Sequence, residues 1–159
     1  MKLLRNLTVA AMVFFPATGI AHAEGLKVVA SFSIIGDMAK QVGGNMVSVT
    51  TLVGPDSDAH VYEPRPQDAA AMAEADVVLI NGLGFEGFIV RLAQSSAPKA
   101  APVELSNGAA TLDMAKDDHG HEEPEHDHRG GIDPHAFQSV ANAQIYVRNI
   151  ADAFCKSDA

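Results

Sequence analysis

The sequence contains a single cysteine, Cys155, and no tryptophan among its 159 residues. One thiol cannot form an intrachain disulfide, so the chain is not a disulfide-stabilised scaffold. Basic residues are also scarce, because 11 lysines and arginines stand against 20 aspartates and glutamates, which gives a net charge of −9. This acidity argues against binding to nucleic acid or to an anionic membrane surface, and it favours a cationic ligand.

Catalytic motifs are missing as well. The chain has no P-loop, no GxGxxG motif, no GxSxG motif and no cluster of thiolates. His-x-His pairs occur at His119/His121 and at His126/His128, but neither pair follows a strand with the further ligands that a zinc hydrolase needs. No general base is evident beside an open-coordination metal. The sequence therefore predicts a protein that is not an enzyme.

Long apolar runs are confined to the N-terminus. A basic start precedes the largely apolar stretch 7–20, and residues 21–23 (Ala-His-Ala) have the small-x-small pattern that signal peptidase recognises. The stretch is short and interrupted by Pro16, which argues against a transmembrane helix. We expect residues 1–23 to be a signal peptide and the mature chain to be exported and not embedded in a membrane.

Strand-like and helix-like patterns alternate along residues 24–110. The predicted strands span residues 26–31, 46–53, 76–81 and 102–105, and the predicted helices span residues 34–42, 66–74 and 85–94. The third strand (DVVLIN) is almost continuously apolar, as in a parallel strand that is covered on both faces. The alternation predicts an α/β fold with a parallel sheet flanked by helices. Ligands bind such sheets beyond the carboxyl ends of the strands, and His60 follows the second strand.

Most histidines lie in residues 111–131, an acidic, glycine-containing stretch. Four of them alternate with aspartates and glutamates, namely His119, His121, His126 and His128. The stretch lacks the apolar residues of a core, so we expect a flexible loop. Imidazoles and carboxylates are good zinc ligands, which favours a metal-collecting loop over a pH-responsive loop or a plain acidic linker. Because loose ligands lose conformational entropy on binding, moderate affinity and little selectivity are expected.

A fifth histidine, His135, stands apart from this loop. It follows Asp133-Pro134, and helical periodicity resumes from Pro134, within residues 132–159. Taken alone, His135 is more often a residue at a helix start beside an aspartate cap than a metal ligand. His60, a lone histidine in a loop, is by the same reasoning more often a surface residue.

Four segments resemble the zinc- and manganese-binding solute-binding proteins of ABC importers. In the family's order they are residues 30–37 (ASFSIIGD), 58–64 (DAHVYEP), 75–86 (ADVVLINGLGFE) and 133–135 (DPH). The resemblance implies that residues 24–110 form the N-terminal lobe of a two-lobe protein. It also implies that residues 132–159 begin the long helix that connects the lobes.

The resemblance further implies a metal site and a role in transport. His60 and His135 would be two of the four metal ligands, and the acidic His-rich loop is typical of the zinc branch. Zn²⁺ is favoured over Mn²⁺, because imidazoles suit zinc whereas manganese prefers oxygen donors. In the periplasm the protein would capture Zn²⁺ and deliver it to a membrane permease. Its loop would recruit metal or accept it from a periplasmic metallochaperone.

The chain is about half as long as the resemblance implies. The C-terminal lobe, which would supply a histidine or glutamate and an aspartate as the other two ligands, is expected to be absent. An alternative follows from that expectation, in which a truncated lobe serves only as a low-affinity periplasmic zinc buffer through its loop. A fragment of a zinc hydrolase is a third and weaker interpretation.

Overall fold

A computed structural model describes residues 25–114 and 131–157, in which strands and helices alternate. The strands are β1 (Leu26–Phe32), β2 (Val47–Val53), β3 (Val77–Ile80) and β4 (Val103–Glu104). The helices are α1 (Ser33–Gly43), α2 (Pro66–Glu74), α3 (Ile89–Ser96) and α4 (Val140–Ser157), with 3-10 turns at Gly44–Met46 and Ala136–Gln138. The predicted signal peptide and the four loop histidines lie outside the described residues.

The four strands form one parallel sheet in the order β2-β1-β3-β4. All four residues of β3 are buried, and so are the last five residues of β1. Continuous burial of this kind arises because helices cover both faces of a parallel sheet, which leaves no solvent-facing positions on the central strands. The predicted α/β fold, a parallel sheet flanked by helices, is confirmed.

The strand order creates a switch point between β1 and β3. The chain passes from β1 to β2 in one direction, and from β2 through β3 to β4 in the other. Because such crossovers are right-handed, α1 lies on one face of the sheet, and α2 and α3 lie on the other. Accordingly α2 contacts α3, while α4 packs against α1. Ligand sites in open α/β sheets lie beyond the carboxyl ends of the strands at such a switch point.

Helix α3 begins at Ile89, four residues later than the sequence predicts. Leu83 and Gly84 have positive φ angles of 56° and 75°, so the chain turns sharply after β3. Within the turn, the Glu86 side chain accepts backbone N–H groups from residues 81 and 82. The backbone N–H of Phe85 donates to the carbonyl oxygen of Gly82 at 3.1 Å, so Phe85 lies in a tight turn at the carboxyl edge of the sheet.

Helix α4 also begins late, at Val140 and not near Pro134. The 3-10 turn Ala136–Gln138 comes first, and the extended backbone of Ser139 separates it from the helix. The helix is anchored by Tyr146 and Ile150, whose side chains are fully buried. The late start leaves His135 on a short irregular segment that faces the carboxyl ends of β1 and β3.

Candidate metal centre

His60 lies in the loop between β2 and α2, and hydrogen bonds hold that loop at two points. A carboxylate oxygen of Asp58 accepts the backbone N–H of His60 at 2.8 Å. Farther along, the buried carboxylate of Asp68 accepts the Tyr62 hydroxyl at 2.8 Å and the Arg65 backbone N–H at 2.7 Å. The main chain is thereby fixed to α2, while the side chain of His60 remains exposed.

His135 is oriented by Asp133, two residues earlier. One carboxylate oxygen of Asp133 lies 2.9 Å from the backbone nitrogen of His135 and 2.7 Å from its ring Nδ1. These contacts hold the pKa of Asp133 below its ordinary value, and the backbone N–H is the larger cause. Because an ionised carboxylate can only accept hydrogen bonds, Nδ1 carries the ring proton. Nε2 consequently presents its lone pair, as in carboxylate–histidine–metal arrangements.

The structure brings the two imidazoles together. Nε2 of His60 and Nε2 of His135 are 3.3 Å apart, and the ring centroids are 5.4 Å apart. In a tetrahedral site with Zn–N distances of about 2.0–2.1 Å, two zinc-bound nitrogens are separated by about 3.3–3.4 Å. The observed spacing therefore matches one edge of a zinc tetrahedron. Without metal, it suits a hydrogen bond from the His60 N–H to the free nitrogen of His135.

Phe85 forms an aromatic support for both imidazoles. Its ring meets those of His60 and His135 in T-shaped contacts, with centroid distances of 4.6 Å and 5.4 Å. Phe85 is itself buried against Phe32 and Phe137, at 5.0 Å and 5.2 Å. Packed aromatic rings restrict the rotation of the imidazoles and exclude water from one side of the pair.

The turn that presents Phe85 is stabilised by the buried carboxyl group of Glu86. This group accepts the Ser31 hydroxyl at 2.5 Å and the backbone N–H groups of Asn81 and Gly82 at 2.7 Å and 3.3 Å. Burial raises the pKa of Glu86, and the hydrogen bonds from Ser31, Asn81 and Gly82 partly oppose that rise. The carboxyl ends of β1 and β3 and the Phe85 turn are thus joined through one side chain.

The raised pKa of Glu86 predicts a pH-dependent stability. The folded protein holds the proton of the Glu86 carboxyl group more tightly than the unfolded chain does. The stabilisation that this proton gives the folded state is fully present below the unfolded pKa of 4.5, and it is lost as the pH rises through the folded pKa. Thermal unfolding of the wild type and of Glu86→Gln between about pH 4.5 and pH 7 checks this. The Tm of the wild type should rise relative to that of the variant as the pH falls. A Tm difference that stays constant across the window would contradict the prediction.

The other four predicted ligands have no described position relative to this pair. His119, His121, His126 and His128 lie outside the described residues. Across residues 25–114 and 131–157, no group of three or more histidine, cysteine, aspartate or glutamate side chains is placed to hold a metal ion. In that part of the chain the centre consists of two imidazoles, which is half the donor set of a closed tetrahedral zinc site.

Sequence reasoning missed the residues that position the pair. The sequence pattern indicates Asp133 only as a helix cap and indicates no positioning role for Glu86. A usable signal exists in the repeated Asp-x-His pattern at residues 58–60 and 133–135, because an aspartate side chain readily bonds to the backbone N–H two residues later. Phe85 had no comparable signal, since its apolar spacing equally suits the interior face of a helix.

A parallel α/β lobe that holds two imidazoles at its switch point has the architecture of a metal-binding lobe of the solute-binding type. The chain belongs to the family described as zinc-uptake complex component A, periplasmic, whose profile matches residues 28–159. Family membership confirms the resemblance drawn from the four sequence segments. Proteins of this family are solute-binding proteins without enzymatic activity, which also confirms the prediction that the chain is not an enzyme.

Relatives of the chain are named for different metals. It is 37% identical over 135 residues to the manganese-binding lipoprotein MntA of Halalkalibacterium halodurans, covering 85% of this chain and 41% of the relative. It is 30% identical over 136 residues to the iron-binding protein YfeA of Yersinia pestis, covering 86% and 40%. The chain thus spans less than half the length of these curated relatives, and their names leave the metal open.

A solved structure supports the fold assignment. The Mn-bound periplasmic metal binding protein from Candidatus Liberibacter asiaticus aligns with a TM-score of 0.64 and 29% sequence identity, covering 82% of this chain and 49% of that protein. Relatives are thus described as periplasmic proteins or as lipoproteins. No helix in the described part of the chain is sufficiently long and apolar to cross a membrane.

Proposed function

We propose that this chain captures Zn²⁺ in the periplasm, as the N-terminal metal-binding lobe of an ABC-type uptake system that passes the ion to its membrane permease. The observation that carries the proposal is the 3.3 Å spacing between the Nε2 atoms of His60 and His135. Two nitrogens at this separation can bind one tetrahedral zinc ion with little movement of either ring. The metal is cargo, so a site that opens on one side to solvent suits both capture and release.

Zinc is proposed over manganese because of the donor atoms. Both ligands of this lobe are imidazole nitrogens, which suit zinc, whereas manganese favours carboxylate and carbonyl oxygens. Asp133 supports the same choice indirectly. Its carboxylate is hydrogen-bonded to Nδ1 of His135, as in the carboxylate–histidine–zinc arrangements of zinc sites.

The domain organisation predicted from the sequence is part of this proposal. Residues 24–110 would form the N-terminal lobe, after removal of a signal peptide at residues 1–23. Residues 111–131 would form a metal-recruiting loop, which could also receive Zn²⁺ from a periplasmic metallochaperone. Residues 132–159 would begin the helix that connects the two lobes of the longer relatives. The remaining ligands would be contributed from outside the described residues.

Zinc titration of two versions of the chain tests the proposal. One is the unaltered chain, and the other carries glutamine in place of His119, His121, His126 and His128 (the four-Gln variant). Glutamine preserves the polarity of the loop but removes its imidazoles. We expect the four-Gln variant to retain one zinc ion per chain, and to bind Mn²⁺ at least about tenfold more weakly than Zn²⁺.

The titration also separates the alternative function. If the four-Gln variant binds no zinc, His60 and His135 do not form a site in this chain. The interpretation as a low-affinity zinc buffer that acts through the loop would then replace the capture proposal. Equal affinity for Mn²⁺ and Zn²⁺ in the four-Gln variant would contradict the choice of zinc, but it would not contradict the two-imidazole site.

A further inference from the structure

Two buried polar side chains of α4 face the segment that carries His135. Asn142 and Tyr146 are four residues apart and therefore lie on the same side of the helix. Their exposed fractions are 4% and 0%, so neither is a surface contact. Buried polar groups of this kind are retained with specific partners, because an unsatisfied one is costly.

Asn142 holds the main chain on the C-terminal side of His135. Its Nδ2 donates to the carbonyl oxygen of Ala136 at 3.0 Å, and also to that of Ala110 at 2.8 Å. Its Oδ1 accepts the backbone N–H of Ala110 at 3.0 Å. A single side chain therefore joins α4 to the residue directly after His135 and to Ala110, which directly precedes the acidic stretch.

Tyr146 acts on the N-terminal side of His135 through Asn81. The Tyr146 hydroxyl donates to Oδ1 of Asn81 at 2.6 Å, and burial raises the pKa of Tyr146 to about 12, so the hydroxyl remains a donor. With its oxygen occupied in this way, Asn81 directs Nδ2 to the carbonyl oxygens of Pro134 and Gly82, both at 2.9 Å. The carbonyl directly before His135 is thus held between β3 and α4.

We propose that Asn142 and Tyr146 are positioning residues that couple the placement of α4 to the spacing between His135 and His60. His60 is fixed through Asp68 to α2, on the opposite face of the sheet, and receives no hydrogen bond from α4 among the described residues. A shift of α4 therefore moves one imidazole relative to the other. Since metal–ligand distances tolerate only about 0.2 Å, such a shift lowers the affinity for the ion and provides a route to its release. The inference rests on the proposed zinc-capture function.

Three substitutions in the full four-Gln variant test this coupling. Asn142→Ala and Tyr146→Phe each remove one of the two contacts to the His135 segment. Asn149→Ala is the matched control, because Asn149 lies on the same helix and donates to the carbonyl oxygens of Leu105 and Asn107, which adjoin no ligand. We expect Asn142→Ala and Tyr146→Phe to weaken zinc binding about tenfold, and Asn149→Ala to change it less than about twofold, although all three lower Tm.

A second measurement detects the coupling without metal. In the metal-free proteins, the imidazole ¹⁵N signals of His135 should shift in Asn142→Ala and Tyr146→Phe, and they should stay unchanged in Asn149→Ala. If the His135 signals stay unchanged in both variants, or shift equally in Asn149→Ala, the coupling is refuted. Should Asn142→Ala fail to fold, Tyr146→Phe decides alone, since it removes only a hydroxyl group. Loss of all zinc binding in the four-Gln variant refutes the proposed function, yet the metal-free spectra still decide the coupling.

Discussion

Replacing His135 with alanine in the four-Gln variant is expected to lower the zinc affinity by more than about 100-fold. Removing the hydrogen-bond partner of a metal ligand costs about 10–100-fold, and removing the ligand itself costs more. In this lobe the loss is severe, because only His60 remains as a donor among the described residues. His60→Ala should have an effect of the same size, since the two Nε2 atoms occupy equivalent corners of the proposed zinc polyhedron.

A graded series distinguishes ligand loss from general damage to the protein. Asp133→Asn keeps both imidazoles but weakens the acceptor on Nδ1 of His135, so an intermediate loss of about 10–100-fold is expected. Val61→Ala is the control, because Val61 adjoins His60 but is 74% exposed. This substitution should leave the zinc affinity unchanged. Competition with a chromophoric chelator measures all four variants. If either His60→Ala or His135→Ala kept the zinc affinity of the four-Gln variant, the two-imidazole site would be ruled out.

Replacing Glu86 with leucine is expected to lower the free energy of unfolding by about 3–5 kcal/mol at neutral pH. Three donors lose their acceptor at once, namely the Ser31 hydroxyl and the backbone N–H groups of Asn81 and Gly82. Each is buried, and an unsatisfied buried donor costs about 1–3 kcal/mol. The expected loss is a large part of the total stability of a domain, which is about 5–15 kcal/mol.

Chemical denaturation measures the free energy of unfolding of Glu86→Leu and of two comparison variants, Glu86→Gln and Glu63→Leu. Glu86→Gln retains an oxygen that can accept from Ser31 and Asn81, so its loss should be clearly smaller than that of Glu86→Leu. Glu63→Leu changes an exposed glutamate and should alter the stability by no more than about 0.5 kcal/mol. If Glu86→Leu also stays within that limit, the three donors have found other acceptors, and Glu86 does not hold the Phe85 turn.

The layered fold was predictable because its elements carry strong local patterns. The continuous apolar run of β3 reflects burial on both faces of the sheet, and the helical spacing of α1 reflects burial of one helix face. Both elements form close to where the sequence places them. The starts of α3 and α4 were not predictable in the same way. At both places a turn comes before the helix, and a side-chain carboxylate accepts backbone N–H groups of that turn: Glu86 accepts those of Asn81 and Gly82, and Asp133 accepts that of His135.

The sequence by itself determined the alternating α/β architecture, the acidity and the presence of two isolated histidines outside both the acidic stretch and the predicted signal peptide. Only the tertiary structure decided that these two histidines, 75 positions apart, meet at 3.3 Å. That distance depends on the strand order, on the turn that places Phe85 against both rings, and on the side chains of α4 that hold the His135 segment. None of these is a local property, because each arises from contacts between elements that lie far apart in the chain.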